Sequence, residues 1–286
     1  MRLVAALPTI VAVPFEKPTT KDFVWPCWGP SIKLFGIGFC YNFIFFLLTL
    51  AFVIFILLFI FAFRKPKVVP GKFQTFMESG IDFVREQVVL QMIGPDGLPF
   101  LPFLATLFFF IFIGNILEVV PGFSFPLNSR IAFPIVMAVI AWITYNTIGI
   151  KRHGFLGYLK LVLFPPGIPE NAFGRFFLKP FLAIIEFISV ILVRPLTLSV
   201  RLFANMVAGH FLLAVFFLGT IAMATGHYLE GAVKTLIATL GLGLSAVSFA
   251  LAVLLVGFEI FVSALQAFIF SVLTASYIAG AMAEEH

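Results

Sequence analysis

Two guanidinium groups, Arg194 and Arg201, lie seven residues apart in a stretch, 180–224, that is otherwise almost wholly apolar. An arginine at bilayer depth costs at least ~2.5–3.5 kcal/mol on insertion scales, so it is usually found facing a protein interior or an aqueous path, close to a counter-charge. At about 100° per residue, Arg194, Thr197, Arg201 and Asn205 fall within one helical stripe, and His210 points to the opposite side. In a later apolar segment Glu259, Ser263 and Gln266 share a face, with Ser248 and Tyr277 projecting in nearly the same direction. Two such stripes on adjacent helices would line a wet path for protons. Glu259 and His210 would be its exchange-capable groups, and the hydroxyls and amides would hold waters.

Each group also has a purely structural reading. Arg194 precedes Pro195 and either snorkels or pairs with Glu186. A lone buried imidazole such as His210 commonly bonds a neighbouring helix, and Ser, Thr and Gln in apolar helices commonly serve as interhelical glue. Glu118, close before Pro121, marks the outer end of a span. Arg201 and Glu259 sit far from any end of an apolar segment, where snorkelling does not reach water cheaply, so a functional role is expected of both.

The elements that must position these groups are legible from composition. The 286-residue chain is 62% hydrophobic and 11% charged, with a mean hydropathy of +1.14. Those values exclude a soluble globular domain and indicate a single all-α integral membrane domain. Membrane helices are expected at about 37–63, 103–120, 135–150, 180–224 and 231–279, with an amphipathic surface helix at about 72–93 and an outside or surface segment at 1–35. The last two spans are each 45 residues or more. As helices they would run roughly 65–75 Å, which predicts a hairpin of long, steeply tilted or partly kinked helices. Arg64, Lys65, Lys67 and Lys72 follow the first span, and Lys151, Arg152 and His153 follow the third. Both clusters mark the inside. The Gly- and Pro-rich stretch 154–179 reads as an inside loop. The net charge of +5 lies beside apolar segments, so it sets topology and does not point to nucleic acid. Cys27 and Cys40 form no disulfide framework, and no metal site or cofactor motif is present.

The run Arg194-Pro195-Leu196-Thr197-Leu198-Ser199-Val200-Arg201-Leu202-Phe203-Ala204-Asn205-Met206-Val207-Ala208-Gly209-His210 resembles the signature of subunit a of the rotary F-type ATP synthase. The run Leu265 through Thr274, with Glu259 seven residues before Gln266, resembles that family's C-terminal motif. Val69-Pro70-Gly71-Lys72-Phe73-Gln74 is similar to the start of its inside surface helix, and Gly114-Asn115 with Pro121-Gly122 fits its next span. The resemblance implies a stator facing a ring of c subunits, each with a membrane-buried carboxylate that Arg201 meets. It implies an outside half-channel at His210, Glu259, Asn115 and Glu118 and an inside half-channel at Glu186 and Asn205. Thr197, Arg194, Gln266, Ser263 and Ser248 are supporting polar groups. Implied partners are the c-ring, the peripheral-stalk subunit b, other synthase subunits and lipid, with the proton as transported ion and the chemistry of ATP in other subunits. The interval from Glu186 to Arg194 is one residue longer than in the family pattern, which alters the helical phase between Glu186 and Arg201.

Two other readings remain at this point: an independent ion-coupled transporter in which Arg201 binds an anionic substrate, and a lipid-facing assembly protein without conduction. The His210/Glu259 arrangement and the 40 phenylalanines lean toward a mitochondrial inner membrane, with a bacterial plasma membrane as the alternative.

Overall fold

The computed structural model describes residues 32–34, 37–39, 43–64, 69–117, 119–120, 131–163, 179–225 and 232–283. Expectations for residues 1–31 (including Cys27), Cys40, Lys65, Lys67 and Glu118 lie outside the described residues. Among the described residues, five helices are long and apolar enough to cross a membrane. Contacts group the described residues into two compact units, the smaller within Gly209–Glu259 and the larger formed by the remainder.

The larger unit opens with a two-stranded antiparallel ribbon, β1 (Ile32–Leu34) and β2 (Ile37–Phe39), in which Ile32 faces Phe39 and Leu34 faces Ile37. The first span was expected from residue 37, but helix α1 starts at Phe43 and runs to Phe63. Gly36 and Gly38 explain the delay, since glycine disfavours a helix by ~1 kcal/mol. Helix α2 (Lys72–Val84) passes through a π-helical turn, Arg85–Leu90. The chain reverses at Gly94, whose φ of 89° suits a residue without Cβ. A 3-10 turn, Pro95–Phe100, then leads into α3 (Leu101–Ile116). The expected span 103–120 is thus shifted toward the N-terminus, because Pro102 is tolerated at the start of a helix.

Helix α2 is amphipathic in a more detailed way than the sequence shows. Met77, Val84, Val88 and Val89 are buried, whereas Phe73, Phe76 and Phe83 point outward. Gln74 is buried as well, and its amide donates to Glu78 (2.8 Å).

Helix α4 (Ala132–Leu163) breaks at Gly154, where φ is 72°, and then resumes. The stretch 154–179 is therefore not all loop: residues through Leu163 are helical. After the break Tyr158 returns onto Gly149, where a Cβ would overlap its ring. Helix α5 (Lys179–Ile188) joins α6 (Arg194–Thr225) through a second π-helical turn, Ser189–Val193. Helix α7 spans Ala232–Met282. The unit's core draws Val84 from α2, Val88 from the π turn after it, Leu104 and Ile111 from α3, Ala138 and Ala141 from α4, Leu198 and Leu202 from α6, and Phe270 and Ile278 from α7.

In the smaller unit the later part of α6 packs on the earlier part of α7 in antiparallel order. The Thr220 and Ser248 hydroxyls lie 3.0 Å apart, and both reach the Phe216 carbonyl, at 2.8 and 3.3 Å. Further along, Gly209 faces the Glu259 carboxylate.

Candidate functional site

The arginine-bearing segment is an apolar helix because Leu, Ile, Val and Phe dominate it, and its π turn, Ser189–Val193, comes just before Pro195. A proline inside an α-helix removes one hydrogen bond and clashes with the carbonyl four residues back, and a π turn widens the helix at that place. The widening absorbs one residue. Glu186 and Arg194 would otherwise be offset by about 80° around the axis, and absorbing a residue reduces the offset to about 20°. They form an ion pair in which each side chain remains roughly a third exposed (28% for Arg194, 32% for Glu186). The π turn thus keeps the two charges on nearly one face of the helix. Of the two structural readings of Arg194, pairing with Glu186 is the one realised.

The pair sits in a polar cluster that the sequence only partly disclosed. The Arg194 guanidinium carbon lies 5.2 Å from the centre of the Tyr277 ring, close enough for a cation–π contact. Tyr277 in turn packs on Tyr145, with ring centres 5.4 Å apart. Tyr158 donates to Asn146 Oδ1 (3.1 Å), and Asn146 Nδ2 donates to the Trp142 carbonyl (2.7 Å). Glu186, Arg194, Tyr158 and Tyr277 line a cavity of about 120 Å³, enough for several waters. Sequence reasoning missed Trp142, Tyr145, Asn146 and Tyr158. The available signal was four polar-tipped residues within or just beyond one expected span, with Trp142 and Tyr145 three apart on one face.

Beyond Pro195 the stripe read from the sequence stays on one face. Arg201, Thr197 and Asn205 are exposed on the outer face of α6, while Leu198, Leu202 and Met206 are buried on its inner face. Thr197 is satisfied by its own helix, donating to the Val193 carbonyl at 2.8 Å. Asn205 Nδ2 donates to Gln266 Oε1 at 2.7 Å, which ties two of the expected residues together. Gln266 and Ser263 are almost fully buried. Among the described residues of its unit, Arg201 has no ion pair. Asn115 is fully buried in the last turn of α3.

In the smaller unit Glu259 is 3% exposed, and its carboxylate occupies the space that a Cβ at position 209 would need. His210 is partly buried. Ser248 follows the interhelical reading, since its hydroxyl bridges α7 to α6. No cluster of His, Cys, Asp or Glu suited to a metal ion occurs among the described residues.

A family model described as ATP synthase A chain matches residues 44–279. The chain belongs to the ATP synthase subunit a family. It is 43% identical to the ATP synthase subunit a of Streptomyces lividans over 79% of this chain and 74% of that protein. Similar relatives occur in a Nocardioides strain (38%, covering 95% of each chain) and in Frankia alni (36%, covering 99% and 92%). The resemblance read from the arginine, glutamine and surface-helix motifs therefore holds, and family membership sets aside the independent transporter. These relatives are bacterial, so the lean toward a mitochondrial inner membrane finds no support and the bacterial alternative fits. The phenylalanine content that prompted it lies largely on apolar helices and says nothing about compartment. As a subunit a family member with five candidate spans, the chain is a multi-pass membrane protein.

Proposed function

We propose that the chain is the proton-conducting stator of an F-type ATP synthase, offering two offset half-channels to the carboxylates of a rotating c-ring. The observation that carries this reading is Arg201: a guanidinium exposed on an apolar 43-residue helical run, Lys179–Ile221. An exposed charge at that depth calls for an anion supplied from outside the chain. A ring carboxylate fits. Beside Arg201 it is favoured in its ionised form, and in lipid in its neutral form.

A proton arriving by the outside half-channel, to which we assign His210, Glu259, Asn115 and Glu118, neutralises the carboxylate and lets it leave Arg201 for lipid at tolerable cost. After nearly a full turn the site reaches the inside half-channel, to which we assign Glu186, Asn205 and the water-sized cavity beside Arg194. There it loses its proton. Arg201 prevents the direct shortcut because a fixed cation repels protons and keeps the facing carboxylate charged. The Asn205–Gln266 bond braces the neighbouring turn of α6. Each proton crossing 100 mV releases ~2.3 kcal/mol, so several are needed for one ATP. The peripheral-stalk subunit b and the other synthase subunits are the remaining partners of this reading, in a bacterial plasma membrane.

The test is Arg201→Ala in the assembled complex, measuring ATP synthesis under an imposed proton gradient and passive proton leak through membranes stripped of the catalytic head. Lost synthesis with a raised leak is the expected result. Retained synthesis would sink the mechanism.

A further inference from the structure

A helix that absorbs an extra residue through a π turn is left with a backbone carbonyl that its own ladder does not serve. Here that carbonyl belongs to Val190. The Arg194 N–H bonds the Ser189 carbonyl, five residues back. In the same register Val190 would be served by residue 195, a proline with no N–H. Val190 is 4% exposed, so water does not readily replace the missing donor, and an unmet buried carbonyl is costly. Two side chains on α4 reach it instead: Trp142 Nε1–H at 2.8 Å and the Tyr145 hydroxyl at 3.3 Å. A carbonyl oxygen has two lone pairs and accepts both. The π turn of α2 provides a contrast within the same chain. No proline follows it within its helix, and backbone donors, the N–H groups of Ile93 and Gly94, serve the Val89 carbonyl.

We infer that Trp142 and Tyr145 are positioning residues: by holding the Val190 carbonyl they fix the π register that sets Glu186 beside Arg194 and determines the angle at which Arg201 is presented. This rests on the reading of Arg201 as the residue that meets the ring carboxylate. Neither Trp142 nor Tyr145 needs to touch a proton. Their effect passes through the helix backbone, which distinguishes them from the groups lining the cavity.

The test uses the whole synthase in inverted membrane vesicles, reading ATP-driven proton pumping per complex that retains its catalytic head. Trp142→Phe combined with Tyr145→Phe is expected to lower pumping roughly tenfold, the scale of two lost hydrogen bonds of ordinary net strength. Adding Pro195→Ala gives the helix its own N–H for Val190 and is expected to recover most of that loss. A packing defect at Trp142 would not respond to a donor restored on another helix. Pumping equal to the parent in the double variant, or a loss untouched by Pro195→Ala, overturns the inference. If the double variant fails to assemble, the same logic applies to assembly: recovery by Pro195→Ala supports the inference and no recovery overturns it. Arg201→Ala in parallel vesicles keeps the two claims apart, since parental pumping there removes the stator reading itself, whatever the latch variants do.

Discussion

Around Phe109 the larger unit is held by rings. Phe59 meets Phe109 edge-on at 5.5 Å, Phe108 meets it at 5.3 Å, and Phe55 meets Phe110 at 6.0 Å. Around Val190 the same unit is held by directed bonds: an indole and a phenol on one carbonyl, an ion pair, and a tyrosine ring under a guanidinium. The aromatic region draws its stability from area and from ring geometry worth ~0.5–1.5 kcal/mol per pair, and many apolar substitutions fit it. The polar region admits few, because each member answers a specific donor or acceptor. In one membrane domain, tolerance and specificity are allotted to different places, and the specific place is the one next to the arginines.

The sharpest way to break this comparison is Arg201→Ala, which is expected to reduce synthesis to background while leaving the amount of assembled complex unchanged. Next comes the ion pair. Glu186→Gln or Arg194→Gln removes a charge-assisted bond of ~1.5–3 kcal/mol, less what partial exposure to solvent screens. Each should lower both pumping and the thermal midpoint of the complex, and a midpoint equal to the parent would show that the pair adds nothing. Gly209→Ala places a methyl group where the Glu259 carboxylate lies. The carboxylate is the far end of a flexible side chain, so assembly should survive while passive proton conduction falls several-fold; unchanged conduction would remove Glu259 from the outside path.

On the aromatic side, a Cβ at Gly80 would lie 2.7 Å from Phe109 Cζ. Gly80→Ala should therefore destabilise the complex by about 1–3 kcal/mol, with relief by Phe109→Leu and no change in pumping per assembled complex. The smallest effect is expected at Phe76, which is 70% exposed. Phe76→Ala should stay within about 0.5 kcal/mol by thermal unfolding in detergent.

The five spans and the surface helix were legible because twenty-odd apolar residues in a row, or apolar residues mixed with charges at helical spacing, have few other uses. Asn205 and Gln266 were each legible as polar positions in their motifs, but the bond between them was not. The π turn was not legible. Hydrophobic periodicity over a span does not register a single absorbed residue, and its trace in the sequence is Pro195, which removes a backbone donor just beyond the turn. Trp142 and Tyr145 were hidden for a related reason: their polar atoms answer a backbone carbonyl, and backbone vacancies carry no side-chain signature. The start of α1 was misplaced because apolar composition alone does not separate Ile37–Phe39 as a strand from the helix beyond it.

Helix α1 has no charged residue in its 21 positions, and Phe45, Phe52, Val53, Ile60 and Phe61 are among the side chains it exposes. Each Leu, Ile, Phe or Val near the centre of such a helix favours insertion by ~0.3–0.6 kcal/mol. It therefore needs no neighbour to leave the translocation machinery and enter lipid. The helix carrying Arg194 and Arg201 stands at the other extreme, with two residues that insertion disfavours. During synthesis the chain thus lays down an autonomous anchor first, and its working helix, emerging later, settles only as Glu186 and Tyr277 close around Arg194.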